Sequence, residues 1–203
     1  MKLLLTSAGF ENPKVGKEFL KIVGKLASNI KIIFIPTASR TKEEIYWVNE
    51  SIKELESVGV KRTNIQELQI NRKITYNEIK DFDVMYMCGG NTFYLLAQIR
   101  KFGFDKVIEK FISTGKLYLG VSAGSILVGP DIKISGLENA DINDVGLTDF
   151  TGLNYINTLI TPHYVEKQKK AIANYQKTVK YKIISLTDDQ AIIVIDGKQK
   201  LIH

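Results

Sequence analysis

The side chains in this sequence with a capacity for chemistry are few, and the first is a hydroxyl. Ser122 stands in Gly120-Val121-Ser122-Ala123-Gly124, with a glycine two residues away on either side. This is the G-x-S-x-G pattern of a serine held at a sharp strand-to-helix turn, the nucleophile elbow. The apolar run Leu117-Tyr118-Leu119 reads as a buried strand leading in, and Ile126-Leu127-Val128 as a buried helix leading out. A turn of this kind strains its central residue and leaves no room for bulk two positions away, which is why glycines flank it. It exposes Oγ, and the first amides of the helix point to where an oxyanion would form.

A serine hydroxyl is a poor nucleophile until a base takes its proton, and histidine is the usual base. The chain has two histidines. His203 is the last residue of the sequence, a position where backbone commonly frays. His163 follows an apolar segment and Pro162, where parallel-sheet proteins put functional loops, and is the stronger candidate. A carboxylate ordinarily orients such a histidine. Asp188, Asp189, Glu138, Asp141 and Asp144 are all available, and residue type alone does not choose among them. Ala123, next to the serine, and the Gly89-Gly90-Asn91 turn can supply backbone N–H groups to an oxyanion. Cys88 precedes those glycines at a strand end and reads as a small buried apolar residue rather than a thiol nucleophile. Two histidines and one cysteine fall short of the usual nitrogen and sulfur ligand set, so no metal is expected. Neither a complete Walker loop nor G-x-G-x-x-G occurs, and no cofactor is expected.

The elements that must position these groups follow from periodicity and capping. Strands are expected over 2–6, 30–35, 65–68, 82–87, 117–119, 158–161, 183–186 and 191–195. Asn12-Pro13, Thr41-x-x-Glu44 and Thr75-x-x-Glu78 mark helix starts, and Asp105 is expected to cap a helix running to Ser113. Further helices are expected over 92–101 and 166–179, and Asp196-Gly197 reads as a hairpin turn into Leu201-Ile202. Residues 131–157, rich in Asp, Asn and Gly, suggest irregular structure or a small β excursion near the site. Strand alternating with helix predicts an α/β fold: a mostly parallel sheet with helices on both faces.

At 203 residues the chain is expected to be one domain, 1–203, with a substantial core. No apolar run approaches the about 20 residues that span a bilayer, so no membrane partner is expected. One cysteine excludes an intramolecular disulfide and predicts a reducing, cytoplasmic setting. The formal charge of +6 is scattered. Its densest stretch, Lys167-Gln168-Lys169-Lys170, reads as a solvated helix face, and no nucleic-acid partner is expected. A monomer or homodimer is expected.

Three segments in order resemble one family. Gly89-Gly90-Asn91-Thr92-Phe93-Tyr94-Leu95-Leu96, Gly120-Val121-Ser122-Ala123-Gly124-Ser125 and Pro162-His163-Tyr164 are similar to the peptidase E (aspartyl dipeptidase) family, whose relatives include cyanophycinase. The resemblance implies a class I glutamine amidotransferase-like fold and a serine peptidase that acts on short peptides through an acyl-enzyme. By resemblance Ser122 is the nucleophile, His163 the base, and Gly90 and Ala123 the oxyanion donors. Asn91 in the glycine turn and Lys133 are the candidate substrate-binding residues. Lys133 stands where the aspartyl dipeptidases carry an arginine, and a lysine cannot grip a carboxylate bidentately. The family acid near the late strand is commonly Glu in a Glu-Gly turn, and Asp188 is its closest counterpart. A second family acid falls on Leu137. Two other readings stay open: an esterase of the α/β-hydrolase type using His203, and a non-catalytic binder of a small acidic ligand.

Overall fold

A computed structural model describes residues 1–203, apart from the side chain of Asn139. β1 (Lys2–Thr6), β2 (Ile32–Ile35), β3 (Ile65–Glu67), β4 (Val84–Met87) and β5 (Leu117–Val121) are joined through α1 (Pro13–Val23), α2 (Lys42–Ser57), α3 (Tyr76–Ile79), α4 (Thr92–Phe102) and α5 (Phe104–Ser113). The helix starts follow their caps. Asn12 Oδ1 accepts from Lys14 N at 2.9 Å, and the backbone N–H groups of Thr41 and Thr75 donate to Glu44 and Glu78. Asp105 does not cap α5, which begins one residue earlier at Phe104. Gly103, with φ +65°, ends α4 and starts α5 at once, so the two helices share a single junction and need no separate cap.

After β5 come the short helix α6 (Ala123–Leu127), β6 (Thr158–Thr161), α7 (Lys169–Gln176), β7 (Lys182–Ser185), β8 (Ala191–Ile195) and β9 (Lys198–Ile202). The helix expected over 166–179 is shorter: a 3-10 turn at Glu166–Gln168 passes into α7. Residues 131–157 are irregular, with a 3-10 stretch at Lys133–Asn139 and a single bridge between Asp131 and Thr151. The strand order of the main sheet is β3-β2-β4-β5-β1-β8-β9. The first five are parallel, and the β8–β9 hairpin runs antiparallel at one edge. Its turn holds Asp196 at φ +47° and Gly197 at φ +81°, the positive values a two-residue hairpin requires. β6 and β7 stand apart, paired with each other in parallel from Thr158↔Lys182 to Thr161↔Ser185.

Alternate residues of the strands serve opposite faces. Leu5, Ile35 and Met87 pack toward Phe93 and Leu96 of α4 and Phe111 of α5. Leu4, Phe34 and Tyr86 pack toward Phe19 of α1 and Leu55 of α2. With helices on both faces, the carboxyl edge is where the five parallel strands can present side chains to a ligand. Ser7, Gly89 and Ser122 all emerge there, just beyond β1, β4 and β5. Among the described residues no helix is long and apolar enough to cross a membrane.

The seating of α6 on this edge leaves no space for side chains. A Cβ on Gly120 would lie 2.5 Å from Gly124 O, and one on Gly124 would lie 2.3 Å from Met87 O. Gly124→Ala therefore forces backbone away from backbone and is expected to cost roughly 1–3 kcal/mol in urea unfolding. An unchanged midpoint would mean that α6 sits on the sheet more loosely than these distances require.

Candidate active site

Ser122 is the residue between β5 and α6, and its backbone sits at φ +49°, ψ −110°. Such a conformation persists in a non-glycine residue only when its surroundings hold it. Here they do. Ser122 N donates to Thr6 O at 3.1 Å, and Ser122 O accepts from Ser125 N at 2.8 Å and Ile126 N at 3.0 Å. The buried Ser125 hydroxyl lies 2.8 Å from Thr6 O and 2.7 Å from Gly120 O, tying α6 to β1 and β5. Tyr118 Oη donates to Gly124 O at 2.8 Å. On the other side, a Cβ at Gly89 would come within 3.1 Å of Ser122 Cβ, so glycine there keeps the serine clear.

The histidine and its carboxylate come from the small sheet. His163 lies two residues beyond β6 and Asp188 three beyond β7. Because β6 and β7 are parallel and in register, their carboxyl ends leave side by side. Leu186 N donates to Thr161 O and Tyr164 N to Leu186 O, both at 2.9 Å, which continues the ladder past the strands. His163 Nδ1 then meets Asp188 Oδ1 at 2.7 Å, and Nε2 meets Ser122 Oγ at 2.9 Å. Of the five acids that the sequence offers, Asp188 is the one beside the imidazole. Asp189 accepts from Thr187 Oγ1, Asp144 pairs with Arg40, and Asp141 accepts from Thr92 N. Glu138 is exposed.

Sequence reasoning missed Ser7. Its side chain is fully buried, and its Oγ accepts from His163 N at 2.7 Å while donating to Asp188 Oδ1 at 2.8 Å. The signal was a small polar residue at the end of β1, and it becomes legible only once β1 is known to lie between β5 and β8.

Ala123 directly follows Ser122, and Gly90 borders the same cavities as Ser122. Gly90 has φ +122°, and a Cβ there would lie 2.3 Å from Ala38 O, so no other residue fits this turn. The two expected substrate-binding side chains are used elsewhere. Asn91 Oδ1 accepts from Tyr94 N and caps α4, while Nδ2 donates to Ile142 O and fastens the 131–157 segment. Lys133 is exposed, with Nζ 5.4 Å from the centre of the Phe150 ring. Neither residue lines a cavity at Ser122. His203 lines a separate surface hollow with Lys14 and Lys17, which removes the base that the esterase reading needs. Burial pushes the Cys88 thiol well above its ordinary range, which keeps it protonated and unreactive.

Two cavities meet at Ser122, and Gly90, Ser122 and His163 line both. The larger, about 290 Å³, is also lined by Trp47, Glu11, Glu44, Glu50 and Glu54. Among these acids Glu50 pairs with Lys53 at 2.6 Å, and Glu44 accepts the Arg40 and Thr41 backbone N–H groups. Burial holds Glu54 above the usual carboxylate range; the Phe10 amide pulls it down, and Glu11 and Glu50 push it further up. The smaller, about 170 Å³, is lined by Ile126, Ile134 and Ile172 with Asp141 and Thr92. Among the described residues, no lysine or arginine lines either one.

A hydroxyl, an imidazole and a carboxylate in series at the carboxyl edge of a mostly parallel α/β sheet is the arrangement by which serine hydrolases work. The relatives narrow the class. This chain belongs to peptidase family S51, whose model matches residues 3–202, and it is a serine-type peptidase. An uncharacterized peptidase of Listeria monocytogenes is 33% identical over 211 residues, covering 98% of this chain and 97% of its own. Peptidase E of Escherichia coli is 30% identical over 172 residues, covering 81% of this chain and 69% of its own. A crystal structure from Listeria monocytogenes, named for peptidase E, superposes with a TM-score of 0.82 at 29% identity, covering 98% of this chain and 96% of that one. A peptidase from an acI-B1 actinobacterium shares the fold, with a TM-score of 0.72 at 17% identity over 99% of this chain and 86% of that one.

Asp141 yields a test of how the 131–157 segment is held. Burial raises its carboxyl above the ordinary value, against the pull of its bonds to Thr92. A raised folded value means that this group's stabilising contribution is complete at low pH and is lost as pH climbs through that value. Asp141→Asn keeps an acceptor for Thr92 N without the charge. The variant's melting temperature should therefore gain on that of the wild type between about pH 3 and about pH 7. A difference independent of pH would show that the buried charge carries no penalty.

Proposed function

We propose that the chain hydrolyses short peptides through Ser122, His163 and Asp188. The observation supporting this is the unbroken series of contacts, 2.9 Å from Ser122 Oγ to His163 Nε2 and 2.7 Å from His163 Nδ1 to Asp188. Nε2 takes the hydroxyl proton as Oγ attacks the peptide carbonyl carbon. The oxyanion is received by the backbone N–H groups of Gly90 and Ala123. The imidazolium, steadied by the Asp188 carboxylate, passes its proton to the leaving amine nitrogen, and the C–N bond breaks to give the acyl-enzyme. Water then loses a proton to Nε2, attacks the ester carbonyl and releases Ser122.

Two cavities meeting at the serine suit a substrate with one residue on each side of the scissile bond, which is a dipeptide. Family resemblance favours aspartate as its amino-terminal residue. The charge of the larger cavity favours something else. Its carboxylates attract an α-ammonium group or a basic side chain and repel an aspartate side chain, and Lys133 does not line it.

The test is turnover of Asp-Leu, Ala-Leu and Lys-Leu by wild type, Ser122→Ala and His163→Ala. Either variant should lose at least about 10⁴-fold in kcat, and undiminished turnover would remove that residue from the mechanism. Ala-Leu and Lys-Leu should be cleaved faster than Asp-Leu. Cleavage confined to Asp-Leu would overturn the charge argument in favour of the aspartyl dipeptidase reading.

A further inference from the structure

We propose that Ser7 is a positioning residue for the catalytic base, fixing His163 through its backbone and through its carboxylate at the same time. The inference rests on the Ser122–His163–Asp188 mechanism and adds a fourth residue to it. Ser7 Oγ has one proton to give and lone pairs to receive, and the structure uses both. It gives its proton to Asp188 Oδ1 and receives the N–H of His163. The same Oδ1 faces His163 Nδ1, so hydroxyl, carboxylate and histidine close a ring of three contacts between 2.7 and 2.8 Å.

The placement argues against a role confined to holding β1 together. Both partners lie more than 150 residues away in sequence, on the loops that leave β6 and β7. β6 and β7 pair only with each other, so no strand ladder sets His163 against Ser122. Asp188, three residues before β8, is reached by the β1–β8 ladder, which Ser7 N extends to Gln190 O at 3.3 Å. Ser7 spans that gap from the end of β1, whose final residue, Thr6, also accepts the Ser122 N–H. One strand end thus holds the nucleophile's backbone and, one residue later, the base. His163 also has φ +55°, a conformation that a non-glycine residue keeps only with support, and its amide is the group that Ser7 receives.

Losing the hydroxyl has two consequences with separate signatures. His163 is freed to swing from Ser122 Oγ, which should lower kcat roughly 10- to 100-fold, with KM little changed. The Asp188 carboxylate loses a donor and concentrates its charge on the imidazole. The protonated base is then favoured, and the acid limb of the kcat/KM profile should move to higher pH. The experiment measures pH profiles of Ser7→Ala and Ser7→Cys beside Ser122→Ala and Asp188→Ala. Ser7→Cys keeps the volume at this buried site and provides a folded comparison if the alanine variant unfolds. A fall in kcat with a displaced acid limb supports the proposal. A profile superposing on wild type, or a loss seen only in KM, overturns it. If Ser122→Ala keeps its activity, the underlying mechanism fails instead, and the two failures are thereby told apart.

Discussion

The structure depends on a close approach of backbone to backbone. α6 comes down on β4 and β5 with no side chain between them, because Gly120 and Gly124 have none to interpose. With the helix that near, the chain between β5 and α6 must turn within one residue. Ser122 takes the positive φ that results. Hydrogen bonds from Ser125 and Tyr118 then hold the helix start in place. The strain at Ser122 is a consequence of packing on both sides, and Oγ projects where the base can reach it. A looser seating would let the turn relax, and the hydroxyl would lose its aim.

The second requirement is that the base meet this hydroxyl from a different piece of sheet. Parallel pairing of β6 with β7 brings His163 and Asp188 out together, so a shift of the small sheet bears on both, with Asp188 tied in addition to the main sheet through β8. What such a shift would alter is the 2.9 Å separation between His163 Nε2 and Ser122 Oγ. Rigidity along that one coordinate has to come from contacts between the two sheets. Such contacts near the site include Ser7 and the packing of α6 against β6, where Leu127 and Ile160 share the core. A buried hydroxyl with both capacities filled is well suited to the task, since leaving either partner unsatisfied is costly.

Much of this was legible from the sequence wherever the cause is local. Capping pairs such as Thr41 with Glu44 marked helix starts, short apolar runs marked strands, and the glycine spacing marked the Ser122 turn. Asp105 was misread because Gly103 serves two helices, a junction that a capping rule does not register. His163 was reachable through the scarcity of histidines. Asp188 was singled out only through the family resemblance, since residue type left five acids open and the contact itself depends on β6 and β7 leaving the main sheet and pairing with each other. Ser7 was invisible for the same reason: its partners are brought to it only by strand order. Asn91 and Lys133 were assigned to substrate by position in a motif, whereas their polar groups are engaged by Tyr94, Ile142 and Phe150.

Charge separates the two levels most sharply. The chain carries a formal +6, which suggests a taste for acidic ligands, yet the lining of the larger cavity at Ser122 is acidic. The contradiction dissolves with distance. Lysines spread over the surface act through water and salt, which screen them beyond about 8–10 Å. Carboxylates at the wall of a cavity act over a few ångströms, through a medium of lower polarizability, and their interaction with a bound charge is several times larger. Glu54 registers that local field, since Glu11 and Glu50 add to burial in pushing its carboxyl upward. A cation entering the cavity would relieve the same repulsion, which is the physical basis of the proposed preference for an ammonium group over a carboxylate. Net charge acts on what drifts toward the molecule, whereas the wall charge acts on a group already beside Ser122.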